Sequence, residues 1–313
     1  MDARPAPALG RGLAYLARQA GLVVFSSVAV FAVTRALPTT PMEAYLEQHG
    51  LPATQENMDA LARQWGLTGS PPEQYLGWIR RFVTGDWGTS IASGASIRDE
   101  IMTRLPLSLA IGLGGVAIAF VLAYPLGMKA ATGNRLWDAL ARIVVLCGEA
   151  VPSFLVCTAV VDLLGVRLGL IPFYSLPPAR AVVAPMLVVA LYSLGQLSRV
   201  VTAHAEQLRG RPFVRAAVQR GFTVERVLWH DCRRPVLYGL TGAVVSKMAW
   251  VIGGASVVEY VFAVPGMSYY IISSIGARDY TVVQSYLMIL VLWMFATRVL
   301  LGAAMAWLDP GSR

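Results

Sequence analysis

Glu149 and Lys247 stand inside long apolar stretches of this 313-residue chain. A charge in the hydrocarbon of a bilayer is costly, so such residues face protein or water and are candidates for function. A carboxylate and an ammonium can contact a charged solute or a partner chain. They can equally stabilise the fold as a buried or water-facing pair. The residue types alone leave both alternatives open.

Residues that can kink or bend a helix lie close in sequence to both charged residues. Pro152 can kink its helix and free backbone carbonyls, which a membrane tolerates only where they meet protein or water. A Gly-Gly pair after Lys247 permits close helix packing or a bend, and plain packing is the simpler alternative. The candidates for a polar surface inside the membrane are Glu149, Pro152, Ser153, Lys247, Gly253 and Gly254.

Composition indicates that helices spanning a bilayer hold these residues. Hydrophobic residues make up 56% of the chain and charged residues only 14%, where soluble domains carry about 25% charged residues. A span needs about 20 mostly apolar residues. We therefore predict an all-α polytopic membrane protein with six transmembrane helices, near 13–36, 105–128, 143–166, 181–200, 236–258 and 281–307.

The distribution of Lys and Arg predicts the orientation. Basic residues concentrate in the N-terminus, in the loop 129–142 and in the loop 199–234. Basic loops stay in the cytoplasm, and six spans put these three regions on one side with both termini. Because the positive charge lies where topology requires it, lipid rather than nucleic acid is the expected contact.

Residues 38–104 then form an external segment that is too long for a simple connection. Met58, Leu61 and Trp65 recur at helical spacing, and a second amphipathic stretch follows Pro71-Pro72. We predict a small helical layer between the first and second spans. It can pack on the membrane domain, serve as a docking surface for a delivered partner, or do both.

Motifs for catalysis and metal binding are missing from the sequence. There is no G-x-x-x-x-G-K-[ST] for ATP, no H-E-x-x-H and no G-x-S-x-G. The three histidines are scattered, and the three cysteines are too few for a disulfide framework. The chain is therefore predicted to be no enzyme, and to bind no metal and no cofactor of its own.

The basic loop contains a short helix with defined ends. Pro212 suits the first helical position and Gly221 suits the position after the last turn, which predicts a helix over 212–220. Thr223 can cap a second helix, VERVLWHDCRR. Phe213, Ala216, Ala217 and Arg220 form a face that permits close approach. Such a helix can enter a cleft on a soluble partner or lie on anionic headgroups, and the residues favour neither.

Several ordered stretches resemble the permeases of type I ABC importers, in the branch for peptides, nickel and opines. These are RAAVQRG (215–221), GDWGTSIASG (85–94), EAVPSF (149–154), VVEYVFAVPG (257–266) with ARDYTVVQ (277–284), and the closing LDP (308–310). The resemblance runs from about Gly12 to Pro310. The broad superfamily has a glutamate where this chain has Arg215, and the branch commonly lacks it.

The resemblance implies a heteromeric importer in the bacterial cytoplasmic (inner) membrane. This chain would be one permease half, with a second permease subunit, two ATPase subunits that bind ATP and magnesium, and an extracytoplasmic substrate-binding protein. The length and the outer segment look most like nickel and metal–opine permeases, with short peptides as the alternative. A secondary transporter is a remote alternative, because no internal repeat is evident.

The resemblance also assigns expected roles. The first helix and the N-terminus would occupy 1–37, the external segment 38–104, and a five-helix core 105–308 with a cytoplasmic coupling loop over 203–235. The polar candidates would line the path, and Pro265-Gly266 would lie at the outer gate. The expected contacts to the ATPase are Pro212, Phe213, Arg215, Ala216, Ala217, Arg220 and Gly221.

Overall fold

The computed structural model describes residues 8–36, 40–65, 67–248 and 250–308. Asp309 and Pro310 of the closing motif, and the first seven residues, lie outside the described residues. Within the described ranges the regular elements are helices, with one isolated β-bridge between Thr89 and Ser96. The first elements are α1 (Ala8–Arg35), α2 (Pro41–Gln48), α3 (Gln55–Gln64), α4 (Pro71–Val83) and α5 (Ile97–Ala131).

The second half of the chain has shorter helices between long ones. They are α6 (Arg135–Ala150), α7 (Ser153–Val160, continued by a π-helix over Val161–Arg167), α8 (Pro178–Ala181), α9 (Val183–Arg209), α10 (Pro212–Gln219), α11 (Val224–Asp231), α12 (Arg233–Met248), α13 (Trp250–Gly253), α14 (Ser256–Val261), α15 (Met267–Gly276) and α16 (Tyr280–Leu308).

Four helical stretches are long and apolar enough to cross a membrane: Ala17–Arg35, Ile97–Ala131, Pro178–Arg209 and Tyr280–Leu300. Two bent pairs pass the same test, α6 with α7 and its π-helix, and α12 with α13 and α14. If each bent pair is one span, the count by length and composition is six. The predicted all-α polytopic fold is confirmed.

Several predicted boundaries were too narrow. The second span begins at Ile97, eight residues early, because Ser96 and the acids of the first turn, Asp99 and Glu100, suit a helix N-terminus. The fourth span was predicted to end at 200, yet α9 continues to Arg209, since Val201 and Ala205 are buried in the core. The predicted coupling loop 203–235 therefore begins inside a helix.

The third span is broken. α6 and the helix that starts at Ser153 meet at an angle of 99°. Val151 is extended, with φ −96° and ψ 121°, as expected for a residue before proline. The predicted kink at Pro152 is thus a full change of direction.

The chain divides into two compact units, and the first takes residues up to Arg104 together with Tyr270–Val299. The sequence assigned 270–299 to the permease core. Side chains explain the grouping, because Ser90 donates to Asp279 Oδ2 at 2.6 Å and Arg278 pairs with Glu47 at 3.0 Å. The stretches GDWGTSIASG and ARDYTVVQ therefore meet in the structure.

The intervening helices of this unit have well-defined starts. Thr40 and Glu43 form a capping box on α2, with N–H to side-chain distances of 2.8 and 3.2 Å. The hydroxyls of Tyr75 on α4 and Ser27 on α1 are 2.8 Å apart, and the Tyr75 ring lies edge-on to that of Phe31. The two predicted amphipathic stretches form the helices α3 and α4 of this unit.

The second unit takes Leu105–Tyr269 and the residues from Leu300. Its core surrounds α9, which packs against α6 and α12. A methyl group on Gly195 would approach the backbone of Val144 and Val145 to 3.1 Å, so glycine permits close packing of α6 on α9. The core extends to the short helices through Val214, Leu228 and Leu240, among other residues.

Candidate functional site

A cavity of about 780 Å³ lies in the second unit, between the break in the third span, α9 and the bent fifth span. Five of the six residues predicted for a polar surface line it, and Gly253 does not. The predicted residues on its wall are Glu149, Pro152, Ser153, Lys247 and Gly254.

Glu149 forms an ion pair with Arg199 across this cavity. The Nη2–Oε1 distance is 2.8 Å and the Nη1–Oε2 distance is 3.0 Å, so the contact is bidentate. The two side chains are 35% and 60% exposed, so the pair is partly exposed rather than buried. The sequence suggested Lys247 as the possible partner of Glu149, and the structure gives Arg199 instead.

Arg199 was missed because it was assigned to the basic loop. The helix α9 continues past Arg199, and the Arg199 side chain lines the cavity. Tyr192 and Gln196 line the same wall. These three residues lie at i, i+4 and i+7, a polar stripe on an otherwise apolar helix, and this periodicity is the signal that could have found Arg199.

Lys247 packs on an aromatic ring. Its Nζ is 5.4 Å from the centroid of the Trp250 ring, within the range of a cation–π interaction. A methyl group on Gly254 would overlap the Trp250 indole, so the absence of a side chain there lets the ring lie along the helix. Lys247, Trp250 and Gly254 therefore form one arrangement on the cavity wall.

The broken helix leaves a backbone carbonyl that needs a donor. The hydroxyl of Tyr192 donates to the carbonyl oxygen of Val151 at 2.6 Å. Pro152 starts the next helix, and Ser153 occupies its first turn at the cavity. A protein side chain thus satisfies one of the carbonyls that the kink frees, and a membrane tolerates such carbonyls only where they meet protein or water.

The turn at Pro265-Gly266 is built around a carboxylate that sequence reasoning did not single out. Glu259 is fully buried, and its Oε2 accepts from the N–H groups of Ser268 at 2.9 Å and Tyr269 at 3.0 Å. Met267 N–H donates to Ser108 Oγ at 2.7 Å. A methyl group on Gly266 would overlap the Glu259 carboxylate. The acid in VVEYVFAVPG therefore holds the start of α15, and the role of the turn as an outer gate stays a prediction.

The predicted short helix in the basic loop is present as α10. Pro212 is in its first turn, and Gly221 has a φ of +94°. Phe222 N–H donates to Ala217 O at 3.2 Å and Gly221 N–H donates to Val218 O at 2.9 Å, which is a Schellman motif. The second predicted helix is shorter than expected, since α11 ends at Asp231 and α12 starts at Arg233.

The predicted close-packing face of α10 is divided between two sides. Ala217 is only 5% exposed and packs with Val214 in the core of this same chain. Phe213 is 49% exposed, and Arg215, Ala216 and Arg220 are exposed with it. Ala217 is therefore not available to a partner on the outer side of α10, and this corrects the predicted face.

A family model described as "Binding-protein-dependent transport system inner membrane component" matches residues 123–313. The chain belongs to this family. It is a multi-pass component of the inner membrane in an ABC importer, and members of the family are transport components rather than enzymes. Such components work with ATPase and substrate-binding partners.

Similar proteins cover nearly the whole chain. The dipeptide transport system permease protein DppB of Bacillus subtilis is 26% identical over 306 residues, covering 93% of this chain and 94% of DppB. The oligopeptide transport system permease protein AppB of the same organism is 26% identical over 297 residues, covering 90% and 92%. The likeness therefore includes the N-terminal part that the family model does not match.

The described part of this transport component holds no group of three or more His, Cys, Asp or Glu side chains placed to bind a metal ion. Of its three cysteines, Cys157 and Cys232 are buried, and burial raises the pKa of the Cys232 thiol outside the spans.

Proposed function

We propose that the chain is one permease half of an ATP-driven importer of short peptides. The observation that carries the proposal is the match, over at least nine-tenths of the chain, to permeases named for dipeptide and oligopeptide transport. The cavity supports it. A volume of about 780 Å³ lies within the usual range of about 300–1,000 Å³ for sites that hold a small molecule.

The peptide alternative replaces nickel or a metal chelate as the preferred substrate. The names of the relatives fit peptides better than metals. The ionisable groups on the wall also disfavour a bare nickel ion, because Glu149 is already paired with Arg199 while the Lys247 ammonium remains. A divalent cation entering this half would meet a net positive surface.

The outward side of α10 is the proposed contact to an ATPase subunit, which would bind ATP and magnesium. Phe213 offers an apolar anchor, Ala216 permits close approach, and Arg215 and Arg220 can pair with carboxylates. The basic loops support a cytoplasmic location for this loop and both termini. The proposed assembly adds a second, non-identical permease subunit, a second ATPase subunit and an extracytoplasmic binding protein.

The proposed mechanism is alternating access, with no covalent chemistry in this chain. α10 follows α9 after Gly210 and leads through α11 into α12. Arg199 is on α9 and Lys247 is on α12, and both line the cavity. A displacement of α10 would therefore be transmitted to two walls of the cavity. A shared buried core joins α10, α11 and α12 and would make them move together in such a mechanism; its members include Val214, Ala217, Leu228 and Leu240.

Reconstitution tests the proposal. The chain is co-expressed with the proposed second permease subunit and ATPase subunits, and the purified complex is placed in liposomes with the binding protein. We expect ATP-dependent uptake of a radiolabelled dipeptide and no uptake of radioactive nickel. Uptake of nickel alone would restore the metal alternative, and peptide uptake without ATPase subunits would favour a secondary transporter.

A further inference from the structure

We propose that Lys247 binds a carboxylate of the substrate during passage and so makes this permease half selective for peptides with a free C-terminal carboxylate. The inference rests on the proposed peptide import and adds the chemical group that the path recognises. It assigns Lys247 as a specificity-determining residue, with Trp250 and Gly254 as positioning residues.

The charges on the cavity wall lead to this assignment. Its ionisable carboxylate and basic groups are Glu149, Arg199 and Lys247. Both oxygens of Glu149 are occupied by the Arg199 guanidinium, at 2.8 and 3.0 Å. This pair is neutral as a unit, so the wall retains one positive charge at Lys247.

The Lys247 ammonium has N–H donors available for a ligand. Across the described ranges it makes no ion pair and donates no hydrogen bond; its ammonium lies over the Trp250 ring and also feels the charge of Glu149, which the Arg199 guanidinium already binds. An ammonium carries three N–H donors. A half-buried ammonium within a span is costly unless an anion meets it. A carboxylate that enters the cavity would supply that anion.

The neighbouring residues fix where the ammonium lies. The indole of Trp250 packs over Gly254, where any side chain would displace it. The face of the ring attracts the ammonium without neutralising its charge. The Lys247 head group is therefore held at the wall and remains able to form a charge-assisted hydrogen bond, which is stronger than a neutral one.

The test uses the complete transporter in liposomes, with wild type, Lys247→Gln and Lys247→Arg. Lys129→Gln is the matched control, because Lys129 also lies over an indole, 4.3 Å from the Trp137 centroid, but does not line the cavity. ATP-dependent uptake of alanyl-alanine is measured as KM and kcat. We expect Lys247→Gln to raise KM about ten-fold, as loss of one charged hydrogen bond implies. Lys247→Arg should restore most of the affinity, and Lys129→Gln should match wild type.

The same samples take up two further probes. Alanyl-alanine amide lacks the C-terminal carboxylate, and glutamyl-alanine amide carries a carboxylate only on its side chain. We expect wild type to import both amides less well than the free acid, and Lys247→Gln to narrow the gap. If the side-chain carboxylate restores full uptake, the recognised group is any carboxylate rather than the C-terminal one.

The outcomes separate the two proposals. Because the binding protein is the same in every sample, a difference between variants belongs to this chain. An unchanged KM in Lys247→Gln would overturn the carboxylate inference while peptide import stands. If that variant does not assemble, equal uptake of the acid and the amide by wild type overturns it instead. Absence of ATP-dependent peptide uptake by wild type would overturn the proposed function itself.

Discussion

Arg199 on α9 binds both carboxylate oxygens of Glu149, which stands in the last turn of α6 just before the chain changes direction. The contact joins residues 50 positions apart in the sequence. Because Glu149 and Arg199 neutralise each other, Lys247 carries the remaining charge on the cavity wall.

The ion pair itself should add little stability. We expect Glu149→Gln and Arg199→Gln to lower the free energy of unfolding by less than about 1 kcal/mol each, because both side chains are partly exposed. Thermal unfolding of the purified complex, run as a double-mutant cycle, measures the coupling. A coupling several-fold larger would mean that the pair holds the break in the third span together.

Ala217 and Ala216 should respond differently to the same enlargement. Ala217→Leu overfills the core beside Val214 and should destabilise the chain by about 1–3 kcal/mol. Ala216→Leu changes only an exposed position, so the chain should insert and fold normally but retain less ATPase on co-purification. Thermal unfolding and the amount of bound ATPase separate the two effects. Equal loss of stability in both variants would contradict the assigned faces of α10.

The turn before α15 should not tolerate a side chain at Gly266. Gly266→Ala pushes the buried Glu259 carboxylate away from the N–H groups of Ser268 and Tyr269, and an unsatisfied buried group costs about 1–3 kcal/mol. Gly276→Ala is the control, since open space surrounds that position. Lower thermal stability of the Gly266 variant alone is the expected result, and equal stability of the two would refute the role given to Glu259.

Asp279 should hold the segment that contains Ser90. Its Oδ2 accepts from Ser90 Oγ at 2.6 Å and its Oδ1 from Val282 N–H at 3.2 Å, and the residue is 1% exposed. Asp279→Ala removes these bonds and should free the loop after α4, with a loss of about 1–3 kcal/mol. Limited proteolysis around residues 85–96 measures the loosening. The exposed Asp59→Ala serves as control, and a cleavage pattern identical to wild type in both would count against the assignment.

Short-range sequence signals predicted where the helices begin and end better than they predicted which side chains contact one another. Pro212, Gly221 and Thr223 gave the ends of α10 and the start of α11, because caps depend on neighbouring residues alone. The six apolar stretches correspond to the four long helices and the two bent pairs, because hydropathy within a stretch is also a local property. The boundary at 200 was wrong because the polar continuation of α9 is stabilised by burial of Val201 and Ala205, which a window of hydropathy does not detect.

The candidate site was harder to predict, because it depends on contacts between residues that are far apart in the sequence. Lys247 and Glu149 could be found as charges in apolar stretches, but the choice of Arg199 as the partner depends on how α6 packs on α9. The two alanines of α10 are chemically alike, and Val214 and Phe213 make both possible faces apolar, so the sequence could not decide which one is buried. Glu259 lies next to its partners only after the turn at Gly266 has formed.

The 99° bend at Val151 and Pro152 also bears on where lipid can reach. A straight span hides its peptide groups within itself, but a break exposes the last carbonyls of one limb and the first N–H groups of the next. Tyr192 satisfies one carbonyl, and acyl chains could satisfy none of the others. Peptide groups at this break are satisfied only by water or protein, so we expect the wall around the break to face one of these rather than acyl chains.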